Sequence, residues 1–157
     1  MTNKEIKIAY QEYASLQELE QEDLRLAQAA IEATAKAYAP YSNFNVGAAV
    51  MFTDGEIVSG ANQENAAYPS GLCAERTALF YASARRPEKK MTALAIAACQ
   101  NGELIQSPVT PCGACRQVMA QYQTKSGIPM QILLIGKEKI LKFSKVDDLL
   151  PLIFDSI

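Results

Sequence analysis

The sequence predicts a three-layer α/β/α domain built on a mixed sheet, and three observations support this class. Helical and strand-like patterns alternate along the chain, which is typical of helices packed on the faces of a sheet. The segment 93–99 is a continuous apolar run of strand length, as expected for a buried strand. Asp54-Gly55 lies between two strand-like runs and is a strong hairpin signal, so at least one strand pair is antiparallel.

Local patterns give the order of the elements. They predict, in order, a helix over 22–38, strands over 44–52 and 56–61, a helix over 73–85, a strand over 93–99, a helix over 112–123, a strand over 130–135 and a short last helix. Pro40 and Pro87 end the first two helices, and Ser144 begins a capping box for the last one. Residues 1–20 fit an edge strand or a helix almost equally well.

Length and composition limit the possible classes of function. The 157 residues fit a single domain, 1–157, with 49% apolar and 20% charged residues. A net charge of −2 argues against a nucleic-acid partner, which usually needs a clustered basic face. The first ten residues lack a signal-peptide core, and no apolar run predicts a membrane span. We therefore expect a cytoplasmic protein whose cysteines are reduced and serve metal binding, catalysis or burial.

The chain has four cysteines and no histidine. Cys112 and Cys115 form a C-x-x-C motif at a predicted helix start, which fits a redox dithiol or half of a zinc site. Cys73 also lies at a predicted helix start and supplies a third thiolate. Three thiolates leave the fourth position of a tetrahedral zinc open, as in catalytic sites. Cys99 lies in an apolar strand and is expected to be a small buried side chain; as a fourth ligand it would make the site structural.

Three thiolates carry more negative charge than one divalent zinc carries positive charge, so such a site needs further positive charge nearby. The N-termini of two helices contribute roughly half a positive charge each. Arg76, one turn after Cys73, is a candidate to donate hydrogen bonds to the thiolates, and Arg116 is a weaker one. Glu75 is placed to take a proton from zinc-bound water and deliver it to a substrate nitrogen, although glutamate in a first helical turn often serves only the helix dipole.

The C-A-E…P-C-x-x-C pattern matches the signature of hydrolytic nucleobase deaminases, with cysteine in place of the commoner histidine. The chain resembles the homotetrameric zinc-dependent cytidine deaminases in YSNFNVGAA at 41–49, NQENAAYPSGLCAERTAL at 62–79, PCGACRQVM at 111–119 and LLPLIF at 149–154. The likeness covers about residues 22–154, leaves 1–21 as an extension of uncertain structure, and departs at Asn45, where the family usually has proline. The resemblance implies a mixed sheet of five strands. It also implies hydrolysis of cytidine and deoxycytidine to uridine and deoxyuridine, with release of ammonia, as part of pyrimidine salvage.

The same resemblance implies the roles of the central residues. Three cysteines hold one zinc ion per chain in that family and a glutamate shuttles the proton to and from zinc-bound water, which corresponds here to Cys73, Cys112, Cys115 and Glu75. The arginine after the glutamate, here Arg76, moderates the charge of the thiolates.

The resemblance also implies how a nucleoside is held. Asn62 and Glu64 are expected to bind the ribose 3′-hydroxyl, and Phe44 to pack on the base. The backbone around Ala66 and Ala74 is expected to read the pyrimidine edge, and the carbonyls at Thr110-Pro111 to face the leaving amino group. In a homotetramer, Phe154 would reach the active site of a neighbouring subunit.

Four alternatives remain at this point. A blasticidin-type or other small-molecule aminohydrolase on the same scaffold is the closest, and the N-x-E pair at 62–64 argues against it. A deaminase acting on nucleic acid would need a basic face. A structural zinc module would need Cys99 as a ligand, and a thiol oxidoreductase would need neither zinc nor Glu75.

Overall fold

A seven-stranded mixed sheet forms the centre of the computed structural model, which describes residues 1–155. The strands are β1 (Gln11–Tyr13), β2 (Phe44–Phe52), β3 (Ile57–Ala61), β4 (Met91–Gln100), β5 (Glu103–Leu104), β6 (Gln131–Ile135) and β7 (Ile140–Phe143). The α-helices are α1 (Gln21–Ala33), α2 (Ala74–Arg85) and α3 (Gly113–Ser126). The strand order is β1-β7-β6-β4-β2-β3, and β5 pairs with β4 beside this path. No helix within residues 1–155 has both the length and the apolar character that a membrane span requires.

The sheet is mixed, as predicted, because one of its strand pairs is parallel. β4 and β6 run parallel, with Ala95 opposite Leu133, and α3 forms part of the connection between them. The other pairs are antiparallel, including the β2–β3 hairpin around Asp54-Gly55. Gly55 has a φ of 79°, a left-handed conformation that glycine adopts without strain. The hairpin signal in the sequence is therefore confirmed.

Two cores lie on opposite faces of the sheet. Because strand side chains alternate between faces, neighbouring residues such as Leu94 and Ala95 belong to different cores. One core joins the sheet to α2 and α3, and the other joins it to α1. The predicted three-layer class is confirmed, with two helices on one face and one on the other.

Two glycines let helices approach the sheet closely on these two faces. A Cβ on Gly60 of β3 would lie 2.6 Å from the backbone nitrogen of Ala78 in α2. A Cβ on Gly47 of β2 would lie 2.1 Å from the carbonyl oxygen of Ala30 in α1. Both distances are below normal contact, and a backbone neighbour cannot move aside as a flexible side chain can. Gly60 therefore fixes how near α2 lies to β3.

The predicted count of five strands is wrong, since seven are present within residues 1–155. Local patterns predict four of the seven strands; the other three, β1, β5 and β7, have two to four residues each, and patterns this short carry little signal on their own. They form because β4, β6 and β7 offer backbone edges to pair with. The first helix is also shorter than predicted, since α1 ends at Ala33 and a 3₁₀ turn follows over Thr34–Lys36.

The N-terminal extension adopts the edge-strand alternative. β1 pairs with β7 at the edge of the sheet, and the ring of Tyr10 lies 5.4 Å from that of Phe143. Leu19 is buried in the core on the α1 face. Residues 11–19 are thus attached to the domain, while residues 1–10 are exposed.

The predicted last helix is only a 3₁₀ turn over Val146–Asp148. The Ser144 hydroxyl donates to the Asp148 carboxylate at 3.2 Å and makes no capping bond to the backbone. The backbone N–H of Val146 instead donates to the Oε1 of Gln123 on α3, at 3.0 Å. A tertiary contact from α3 therefore serves the amide that the local motif would have capped.

Candidate metal centre and active site

Three cysteines converge where α2 and α3 begin. Cys73 is the residue before α2, Cys112 is the residue before α3, and Cys115 lies in the first turn of α3. Their sulfur atoms all lie within 4.8 Å of one another, and those of Cys112 and Cys115 are 3.5 Å apart. A tetrahedral zinc with Zn–S bonds of about 2.3 Å places its sulfurs about 3.8 Å apart. The three sulfurs therefore fit zinc, with one position left for a further ligand.

The surroundings stabilise negative charge on these sulfurs. Both helix N-termini face the cluster, and Nη2 of Arg76 donates to the sulfur of Cys73 at 3.5 Å. The pKa of Cys73 is lowered, first by a hydrogen bond from the Cys115 thiol and then by Arg76. The pKa of Cys115 is raised, because its thiol donates that bond and because it is buried. The negative charge therefore lies on Cys73, and a thiolate is the form that binds a metal.

The two arginines considered from the sequence behave differently. Arg76 contacts the cluster, and its Nε is buried without a hydrogen-bond partner among residues 1–155. Arg116 has no recorded hydrogen bond to a cysteine sulfur within residues 1–155: its Nε donates to the carbonyl of Pro111 and its Nη1 to the carbonyl of Leu149, both at 2.8 Å. The weaker candidacy of Arg116 for moderating thiolate charge is therefore wrong.

Glu75 is the second residue of α2, and only 5% of its surface is exposed. Burial is the main cause that raises the pKa of its carboxyl, and the negative charge on Cys73 adds to the effect. Glu75 lines a cavity of about 270 Å³ together with Cys73, Cys112 and Ala74. Phe44 and Thr110 line the same cavity. A buried carboxyl and two of the clustered sulfurs thus face one space.

Asn62 and Glu64 lie beside this cavity and fasten the start of β2. The Asn62 amide accepts from the backbone N–H of Val46 at 2.8 Å and donates to the Phe44 carbonyl at 2.9 Å. The Glu64 carboxylate accepts from the backbone N–H of Tyr41 at 2.9 Å and from the N–H and hydroxyl of Ser42. These bonds, led by the Ser42 hydroxyl, lower the pKa of Glu64. The sequence alone assigns Ser42 no role, because its pairing with Glu64 spans 22 positions and leaves no local signal.

Asn62 and Glu64 also line a second, more open cavity of about 540 Å³, which Cys73 and Arg76 border. Because Asn62 and Cys73 line both cavities, the two spaces adjoin at those residues. Ala66 is exposed on the loop before α2 and lines neither cavity. Phe154 is 68% exposed and lines neither, although its carbonyl accepts from Nε2 of Gln117 at 2.8 Å. The chain thus brings Phe44, Asn62, Glu64 and Ala74 to the cavities and leaves Ala66 and Phe154 outside.

Cys99 lies away from the cluster. It is half-buried near the end of β4, and its sulfur accepts from the Thr34 hydroxyl at 3.4 Å. Thr34 follows α1, so this contact lies on the α1 side of the sheet, opposite α2 and α3. Cys99 is also less buried than the small core side chain that the sequence predicts.

This geometry predicts which cysteine is dispensable for the metal. Cys99→Ser should retain one zinc per chain, because its sulfur lies outside the cluster. Cys112→Ser is the matched comparison and should bind zinc far more weakly, because it removes one of the three sulfurs. Elemental analysis of both purified variants gives the readout. Loss of zinc from Cys99→Ser would contradict the three-sulfur site.

Comparison with known proteins agrees with this geometry. The family model described as "Cytidine and deoxycytidylate deaminase zinc-binding region" matches residues 20–130. A cytidine deaminase of Halalkalibacterium halodurans is 50% identical over 98 residues, which cover 61% of this chain and 68% of that protein. A cytidine deaminase of Sporosarcina psychrophila is 42% identical over 120 residues, covering 76% of this chain and 82% of its own.

Solved structures of cytidine deaminases have a similar fold. The crystal structure of cytidine deaminase from Burkholderia pseudomallei has a TM-score of 0.68 and 39% identity, covering 83% of this chain and 97% of that one. The cytidine deaminase of Mycobacterium tuberculosis has a TM-score of 0.66 and 33% identity, covering 84% of this chain and 96% of that one. The chain therefore belongs to the cytidine and deoxycytidylate deaminase family and carries its zinc-binding region.

Proposed function

We propose that this chain catalyses zinc-dependent hydrolysis of cytidine and deoxycytidine to uridine and deoxyuridine, with release of ammonia. The observation that carries the proposal is the shared cavity, which is lined by the buried Glu75 together with Cys73 and Cys112. The names of the relatives give the reaction class, since those proteins are cytidine deaminases. Neither a dithiol exchange site nor a closed structural zinc site needs a buried carboxyl at that place.

The chemistry divides between the metal and the chain. Cys73, Cys112 and Cys115 would hold zinc, which would supply the Lewis acidity that makes water acidic enough to react near neutral pH. Glu75 takes a proton from the attacking water and delivers it to a nitrogen of the base, so that ammonia can leave. Arg76 donates to the Cys73 sulfur, which withdraws negative charge from the metal site.

The nucleoside is proposed to span both cavities. Phe44 packs on the base in the smaller cavity, where Ala74 presents backbone groups to the pyrimidine edge and the Thr110-Pro111 carbonyls face the leaving amino group. Asn62 and Glu64 hold the 3′-hydroxyl of the sugar in the open cavity. Their bonds to the start of β2 keep both side chains in place before the sugar arrives. A contact to the 3′-hydroxyl does not distinguish sugars that differ at the 2′ position, so ribose and deoxyribose are both accepted.

Glu75→Gln tests the proton carrier. The variant should retain zinc and bind nucleoside, and its kcat should fall by at least the roughly 10²–10⁴-fold that a positioned acid–base group contributes. Glu103→Gln, which changes an exposed glutamate on β5, is the control and should behave as the wild type. Turnover of cytidine is followed by absorbance, with zinc measured on the same samples. Near-normal turnover of Glu75→Gln would remove this carboxyl from the mechanism.

Glu64→Ala tests recognition of the sugar. It should lower kcat/KM for cytidine far more than for 3′-deoxycytidine, because only cytidine carries the hydroxyl that the carboxylate binds. Glu64 also fastens the backbone of 41–42, and losing that contact would affect both substrates alike.

Ser42→Ala separates these two effects. It removes the hydroxyl that bonds Glu64 but leaves the carboxylate in place, so its losses should be equal for the two substrates. If Glu64→Ala lowers kcat/KM equally for both substrates, this carboxylate only holds the backbone of 41–42 and does not bind the 3′-hydroxyl.

We also propose that the active unit is a homotetramer of single-domain chains in the cytoplasm, acting in pyrimidine salvage. The exposed position of Phe154 supports assembly, because burying such a side chain stabilises by roughly 1.5–3 kcal/mol. Phe154 then completes the site of a neighbouring subunit. A site built from reduced thiolates suits a reducing compartment.

Mixing of subunits tests the role of Phe154. Phe154→Ala keeps the backbone carbonyl that Gln117 holds and should raise KM for cytidine while leaving zinc content unchanged. If Phe154→Ala is strongly impaired, exchange with inactive Glu75→Gln subunits should restore activity. In a mixed oligomer, a Phe154→Ala subunit supplies Glu75 to a site, and a neighbouring Glu75→Gln subunit supplies Phe154 to the same site. Exchange is verified by mass spectrometry of the mixed oligomers. No recovery in verified mixtures would make Phe154 a residue that acts only in its own chain.

A further inference from the structure

The loop that leads into Cys112 packs against the domain but has few hydrogen bonds. Residues 107–111 connect the region after β5 to α3 and belong to no helix or strand. Pro108 lies directly against Gly136, and Val109 packs against the core on the α2 and α3 face. Among residues 1–155, the one hydrogen bond recorded for this loop is the 2.8 Å bond from Nε of Arg116 to the Pro111 carbonyl. Because Val109 and Thr110 line the smaller cavity and Cys112 follows directly, the polar attachment of the loop next to the site rests on one side chain.

The same guanidinium also holds the C-terminal segment, which we define as residues 149–154. Nη1 of Arg116 donates to the carbonyl of Leu149 at 2.8 Å. Leu149 is buried in the core that contains Cys115 and Met119, so this carbonyl is a fixed anchor. The next residue of α3, Gln117, donates to the carbonyl of Phe154. Two side chains that directly follow a metal ligand thus bind both ends of the C-terminal segment.

We propose that Arg116 is a positioning residue that ties the 107–111 loop to the C-terminal segment and so fixes the place of Cys112. The inference rests on the proposed function, since it assigns Cys112 to zinc and the loop to the substrate cavity. Arginine suits this task because its planar group has five donors in fixed directions and can bond two carbonyls at once. A lysine ammonium reaches one of them without the fixed fork.

Arg116→Ala and Arg116→Lys test the proposal. In hydrogen–deuterium exchange, Arg116→Ala should speed exchange of the backbone amide of residue 116, which donates to the Cys112 carbonyl at 3.0 Å, by about tenfold or more and leave β4 and β6 unchanged. Zinc should pass to a chromogenic chelator about 10–100-fold faster, which is the effect typical of losing a residue that orients a metal ligand. Arg116→Lys should lie between Arg116→Ala and the wild type in both measurements.

Two control variants separate this role from general effects. Arg25→Ala removes an exposed arginine on α1 that donates to the Gly55 carbonyl, and it should match the wild type in both measurements. Gln117→Ala removes the contact to Phe154 but not the contact to Pro111. It should keep wild-type exchange at the amide of residue 116 and wild-type release of zinc.

The outcomes that would overturn the proposal are distinct from failure of the proposed function. Unchanged exchange at residue 116 in Arg116→Ala would overturn it, and so would equal acceleration in β4 and β6, since that marks a general loss of stability. If Arg116→Ala does not fold, wild-type exchange and zinc release in Arg116→Lys would overturn it. A wild-type protein without zinc or deaminase activity would refute the proposed function, while exchange at residue 116 in Arg116→Ala, compared with the wild type, would still decide whether Arg116 holds the loop.

Discussion

The convergence of three sulfur atoms is the constraint on which the rest of the structure depends. Ionised thiolates within 4.8 Å of one another repel, so the fold must supply compensation from several directions. It does so with the N-termini of α2 and α3 and with the guanidinium of Arg76. The apolar core beneath Cys115 fixes the two helices, and Gly60 lets α2 lie close to the sheet. Zinc would complete this compensation with two positive charges.

The chemistry-bearing residues could be predicted from the sequence because their spacing is local. Cys112 and Cys115 are three positions apart on one helical turn, and Glu75 lies two positions after Cys73. The convergence of α2 with α3 could not be derived from local spacing, because it depends on how β4 and β6 pair in parallel. The convergence of the three cysteines could be expected only from the resemblance to a known family.

Features set by tertiary partners escaped prediction. β1, β5 and β7 are too short for their own pattern to define them, and each exists because a neighbouring strand has a backbone edge to share. The sequence at Ser144 matches a capping box, but tertiary structure replaces the cap: the Gln123 side chain accepts from the amide of Val146, and the Ser144 hydroxyl bonds Asp148 instead. Arg116 shows the same limit: its position beside Cys115 suggests a contact to sulfur, but two backbone carbonyls offer better acceptors.

α3 emerges as the element that joins the metal centre to the end of the chain. It carries Cys115, and its side chains at Arg116, Gln117 and Gln123 bind backbone groups of the region after β7. A change in the C-terminal region can therefore reach the metal centre through one helix. If a neighbouring subunit takes up Phe154, the same helix would connect assembly with the site.

Deamination of cytidine by this chain is proposed to depend on the zinc that its three cysteines hold. The most direct measurement removes the metal with a chelator, restores zinc in steps below one equivalent, and follows the conversion of cytidine to uridine by absorbance. The account predicts that activity rises in proportion to zinc and levels off at one ion per chain. Equal activity in the metal-free protein, or no activity in the fully loaded protein, would contradict it.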